Sequence, residues 1–144
     1  MASRSSSSAS AAEFQGLLDD VLRETDADDQ AGPLLRAAGL RIRFEFPDLP
    51  LVLNVAATDE GDRHLTWRFD DEVDWRPKLT LRMDSKVANA YLQGKESLAI
   101  GMARGRVKAK GDTRSTLVYI HALRLLVASY GRLVTQEHPN LVLE

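Results

Sequence analysis

The chain has 144 residues, 28% of them charged and 44% hydrophobic, with a formal net charge of −2. That length suits one domain burying about two-thirds of its unfolded surface, and the near-neutral balance argues against a nucleic-acid partner. Cysteine is absent, which removes thiol catalysis, thiolate metal sites and disulfides together and fits a cytoplasmic protein.

Residues 1 to 9 are serine-rich with nothing to bury, which predicts a disordered tail ahead of a single domain over residues 10–144. The segment lacks the apolar core of a secretory signal, and no run reaches the roughly 18 apolar residues that span a bilayer, because His121 and Arg124 interrupt the best candidate. A soluble, unprocessed chain is expected. Arginine outnumbers lysine 14 to 5, a composition typical of GC-rich bacterial genomes.

Ser10 and Glu13 form an S-x-x-E capping box, followed by Phe14, Leu17, Leu18, Val21 and Leu22 at helical spacing. Pro33 to Ala38, with Gly39 behind, predicts a short second helix. From Leu40 the period changes to 2. Ile42, Phe44 and Phe46 alternate with Arg41, Arg43 and Glu45; Leu51, Leu53 and Val55 make a second strand; Leu65, Trp67 and Phe69 alternate with His64, Thr66 and Arg68. Leu79, Leu81 and Met83 form a fourth strand, and Val107 with Ala109 a fifth. Two short helices separate these last strands: one runs from Asp84 as N-cap to Gly94, the other from about Ser97 to Arg104.

Asp112 caps a final helix expected to continue until just before Pro139. At about 100° per residue its apolar side chains, from Val118 to Val134, cover roughly 220°, whereas one core contact needs only about 100°. A second covering is implied, supplied by the Phe14–Leu22 helix or by a bound apolar molecule. The predicted fold is an α+β two-layer sandwich, a five-stranded mixed sheet with helices on one face.

The stretch GKESLAIGMARGRVKAKGD carries Gly94-Lys95 before a short helix, then Gly105-Arg106-Val107-Lys108, closed by Gly111-Asp112 and followed by the apolar terminal helix. This pattern resembles the sterol carrier protein type-two family of non-specific lipid-transfer domains, from Leu40 to Val134 and most clearly over residues 79–128. The resemblance implies an apolar tunnel between sheet and helices that holds lipids, acyl chains, sterols or polyketide-like molecules without a cofactor. Residues placed to line it are Phe44, Trp67, Phe69, Met83, Tyr91, Met102, Ile120, Leu123 and Val127, all of which a plain core would use equally well.

Other motifs stay mundane. Arg104, Arg106, Lys108 and Lys110 match neither a Walker loop nor a dinucleotide fingerprint, so they read as a solvated strand face or as a transient attraction to anionic membrane headgroups, worth about 1 kcal/mol per residue. His121 falls in the polar stripe of its helix. Asp70, Asp71, Glu72 and Asp74 lack the pattern of a calcium loop, and no hydrolase or zinc motif occurs, so neither catalytic nor metal residues are assigned. An alternative function is a small cyclase or isomerase acting in the same tunnel, with Asp84, Tyr91, Tyr119 and Asn54 as the available polar groups. A homodimer packed over Leu123 and Tyr130 is a third reading.

Overall fold

A computed structural model describes residues 9–143, apart from the side chains of Thr113, Ser115, Thr116 and Leu117. Its elements are α1 (Ala11–Ala27), α2 (Ala31–Ala37), β1 (Arg41–Phe46), β2 (Leu51–Ala57), β3 (Leu65–Arg68), β4 (Leu79–Arg82), α3 (Ser85–Leu92), α4 (Leu98–Ala103), β5 (Lys108–Gly111), α5 (Thr113–Leu126), α6 (Tyr130–Glu137) and a closing 3-10 turn, Pro139–Leu141. Residues 1–8 of the expected tail lie outside the described residues, and Ala9 packs against the core.

The strands form one mixed sheet in the order β3-β2-β1-β4-β5. β1 pairs in parallel with β4, and the other neighbours are antiparallel. Register sets Phe44 beside Leu53 and Leu81, and Val55 beside Ile42 and Trp67, so the apolar positions of four strands share the helix-facing side. The fifth strand departs from expectation. Val107, just before β5, is buried, but Ala109 is exposed with the rest of the strand, because β5 is an edge that the helices do not cover. Gly111 at its end has φ +154°, and a Cβ there would come within 2.3 Å of the Lys78 carbonyl oxygen, so no larger residue fits this crossing of β4 and β5.

On the inner side α1 buries Phe14, Leu17, Leu18, Val21 and Leu22. Phe14 meets Phe46 edge-on at 5.1 Å. Ser10 caps α1 by accepting from the Glu13 N–H at 3.1 Å, but the Glu13 carboxylate turns away from the box to His138 Nδ1 at 2.9 Å and holds the chain end against the helix start. Trp67 fastens the sheet edge to α1 by donating its indole N–H to Asp19 at 2.8 Å.

The final helix is two helices, not one. It stops at Leu126 and restarts at Tyr130. Thr25 of α1 donates its buried hydroxyl toward the Leu126 carbonyl at 2.8 Å, satisfying a terminal acceptor of α5, and the turn lets α6 point Tyr130, Leu133 and Val134 into the core on its own phase. The 220° arc dissolves as a result. Within α5 the fully buried residues Tyr119, Ala122, Leu123 and Leu126 span about 100°, an ordinary stripe. Ile120 and Val127 flank it on one side, half-buried, and Val118 and Leu125 on the other, exposed.

The sheet's outer face is not simply solvated. To join edge strand β3 to β4, the chain must pass β2 and β1, and it does so on the side away from the helices. Asn54 donates to the Asp70 carbonyl at 2.7 Å and Arg43 to the Asp71 carbonyl at 2.6 Å, so the segment after β3 lies against the outer face, where Asn54 is wholly buried. The side chains of Asp70, Asp71, Glu72 and Asp74 remain exposed, as read from the sequence.

Candidate functional site

The two layers do not close completely. Between them lies an apolar void of about 20 Å³. Leu18, Val21 and Leu22 of α1 form its floor and Phe44, Phe46 and Leu53 its sheet wall; Met83, Ala88, Tyr91, Leu92, Leu126 and Val127 complete the lining. That volume admits about one water-sized sphere, and such a lining keeps a space of this size dry. On the far side of Tyr91, Leu92 and Val127 opens a surface groove of about 490 Å³, which these three residues share with the void. Its remaining walls come from Gly94, Glu96, Ser97, Leu98 and Ala99, from Ile120 and Arg124 of α5, and from Ala128.

Why these side chains stand there follows from local structure. α3 is pinned from behind. Buried Asn89 accepts from the Tyr130 hydroxyl at 2.7 Å and from Gln93 Nε2 at 2.7 Å, and donates to the Leu141 carbonyl at 2.9 Å. Gln93 also accepts from the Leu143 N–H at 3.0 Å. With its polar side tied to the chain end, α3 turns Ala88, Tyr91 and Leu92 toward the interlayer space. Its first turn is capped from a distance: Asp48, not Asp84, accepts from the Ser85 N–H at 2.8 Å and the Ser85 hydroxyl at 2.6 Å. Val127 is the C-cap residue of α5, where the helix break begins.

Of the nine residues expected to line a tunnel, Phe44, Met83, Tyr91 and Val127 meet at the void, and Ile120 joins Tyr91 and Val127 on the groove. Leu123 is wholly buried in the inner stripe of α5, and Trp67, Phe69 and Met102 pack half-buried against the core elsewhere. The α1 contribution, Leu18, Val21 and Leu22, went unassigned because their stripe reads equally as a cover for the core. The row at i, i+3 and i+4 was the available signal.

The polar groups are mostly structural. Tyr119 donates to the Gly39 carbonyl at 3.0 Å and accepts from the Arg41 N–H at 3.2 Å, tying α5 to the start of β1. Burial pushes its phenol above the usual value, and pushes that of Tyr130 far higher. Asn54 lies on the opposite face of the sheet and Asp84 is exposed. Only Tyr91 among the four groups named for chemistry reaches the void; burial raises its phenol pKa and the Arg124 charge partly offsets the rise. Among the described residues no cluster of three metal-ligating side chains forms, and no described helix is long and apolar enough to cross a membrane.

No family model matches the sequence, and no curated protein resembles it significantly. Solved structures do. Sterol carrier protein 2 from Yarrowia lipolytica, without ligand, is 15% identical with a TM-score of 0.55, over 74% of this chain and 87% of that one. A protein of Thermus thermophilus described as possibly a sterol carrier protein is 12% identical with a TM-score of 0.55, over 82% of this chain and 86% of that one. UbiJ-SCP2, described as a ubiquinone synthesis protein, is 16% identical with a TM-score of 0.54, over 74% and 85%. The chain spans only 13% of a further match, the sec-alkylsulfatase Pisa1 from Pseudomonas sp.. The fold class is thus the α+β sandwich of a five-stranded mixed sheet layered with helices. The particular fold is that of sterol carrier protein type two.

Proposed function

We propose that the protein binds and carries a hydrophobic small molecule whose tail enters the interlayer void through the groove. The observation that carries this reading is the shared wall: Tyr91, Leu92 and Val127 each face the apolar void on one side and the groove on the other, and all three are only half-buried. A groove of about 490 Å³ lies within the usual range of small-molecule sites. The void alone is too small for a chain of carbons, so loading requires these three side chains to swing aside and the flexible Met83 to repack. Each methylene then buried contributes about 0.8 kcal/mol, so some eight of them offset the entropy of association without a specific polar contact. Selectivity along the tail is loose for the same reason, and lipids, acyl chains, sterols and polyketide-like molecules all fall within it.

The sterol carrier fold supports the reading, as does the purely apolar lining, Tyr91 aside. The protein works in the cytoplasm on this reading, with brief contact at membrane surfaces where such molecules are exchanged. Its test is displacement of the neutral fluorescent probe N-phenyl-1-naphthylamine by straight-chain alcohols of increasing length. Affinity should rise with each carbon until the space is filled. Absence of probe binding, with nothing apolar found by native mass spectrometry of the purified protein, would leave the void as a packing defect.

A further inference from the structure

We propose that Arg124 ranks ligands by head charge, so that the groove prefers amphiphiles bearing one negative charge at one end and holds them with the head at Arg124 and the tail directed past Tyr91. The inference rests on the carrier reading and adds to it a polarity and a direction. Arg124 stands on α5 four residues after Ile120 and three before Val127, on the same groove-facing wall of the helix. Among the described residues no hydrogen bond or ion pair engages it, whereas Arg43 and Arg82 are committed to Glu45, Arg106 to Glu96, and Arg132 to Glu24.

The groove holds one carboxylate, Glu96, and it is already spoken for by Arg106 on the next segment. That pairing decides the sign. With Glu96 neutralised and Arg124 free, the net charge facing a ligand is positive, which disfavours cationic heads and leaves neutral ones unassisted. Ser97 on the same wall accepts from the Ile100 N–H with its oxygen, which leaves its O–H to donate to an acid head. Arg124 lines the groove together with Tyr91, which also lines the void, so its charge stands on the wall through which the groove reaches the void. A carboxylate there can take a charge-assisted, bidentate pair while its chain continues between Tyr91 and Val127.

A different role for Arg124 follows from its place in the last turn of α5, where a cation complements the helix dipole. That role affects stability alone and predicts no ranking of ligands. The two separate in one experiment. N-phenyl-1-naphthylamine bound to the full chain is displaced by dodecanoate, 1-dodecanol or dodecyltrimethylammonium, each below its micelle concentration at low salt. Dodecanoate should bind about tenfold more tightly than the alcohol, the partly exposed setting holding the gain to that order. R124Q should bring the affinity for dodecanoate down to that for the alcohol measured on the same variant, R124K should keep most of the preference, and R124E should turn it toward dodecyltrimethylammonium. Equal binding of acid and alcohol by the natural chain, or a preference that survives in R124Q, overturns the proposal but leaves the carrier reading standing. Failure of the probe and all three amphiphiles to bind removes both together.

Discussion

Met83→Ala separates a ligand slot from a flaw in packing. Met83 is 3% exposed, sits just after β4 and forms part of the void wall. Truncation removes three heavy atoms beyond Cβ, a transfer loss of about 2 kcal/mol at roughly 0.8 kcal/mol per methylene. The existing void already shows that the surrounding side chains do not collapse inward, so the cavity penalty is added nearly in full and the total comes to about 3 kcal/mol, within the usual range for such truncations. For a domain of this size that is a fall in Tm of about 10 °C. If the enlarged space is a slot, an apolar ligand at about 100 times its Kd restores about 2.7 kcal/mol, nearly the whole loss. Thermal melts with and without 1-dodecanol measure both quantities. Full destabilisation with no rescue by any apolar ligand would refute the reasoning.

Val127→Trp should block the passage between groove and void and abolish probe binding at a cost below about 1 kcal/mol, since Val127 is half-buried and faces open space on its outer side; Leu123→Trp, at a wholly buried position off the lining, should instead cost about 1–3 kcal/mol by overpacking. Asn89→Ala strands the buried Tyr130 hydroxyl and removes one of the two side-chain amides that donate to the Leu141 carbonyl, Gln93 keeping the other, and should lose about 2 kcal/mol in urea denaturation, with the end of the chain more open to proteolysis. Tyr91, Tyr119 and Tyr130 all have phenol pKa values raised in the folded state, so each contributes stability that is intact below the ordinary value of 10.0 and lost as pH climbs through the folded one. Denaturant midpoints should therefore fall steadily above about pH 10, and Tyr130→Phe should flatten that decline.

What the sequence determined by itself was whatever local chemistry specifies. The alternation of Ile42, Phe44 and Phe46, the stripe of α1 and the Gly and Asp punctuation around residues 84–112 were enough to give the five strands, the helices ahead of the last one, their order and the inward side of the first four strands, because side-chain period and turn geometry depend only on near neighbours. The same pattern did not separate Phe44, Met83, Tyr91 and Val127, which meet at the void, from Leu123, Trp67, Phe69 and Met102, which pack elsewhere. Tertiary structure decided the rest. At the break after Leu126 the carbonyl ending α5 accepts from Thr25, 101 residues away, and no proline marks the place in the local sequence. The cover on the outer sheet face depends on strand order, because β3 lies at an edge and its chain must cross β2 and β1 to reach β4. The cap of α3 comes from Asp48 rather than the neighbouring Asp84. Which apolar side chains line a void and which fill the core is a property of how two layers meet, set by packing between residues far apart in the chain, and a hydrophobic pattern carries no record of it.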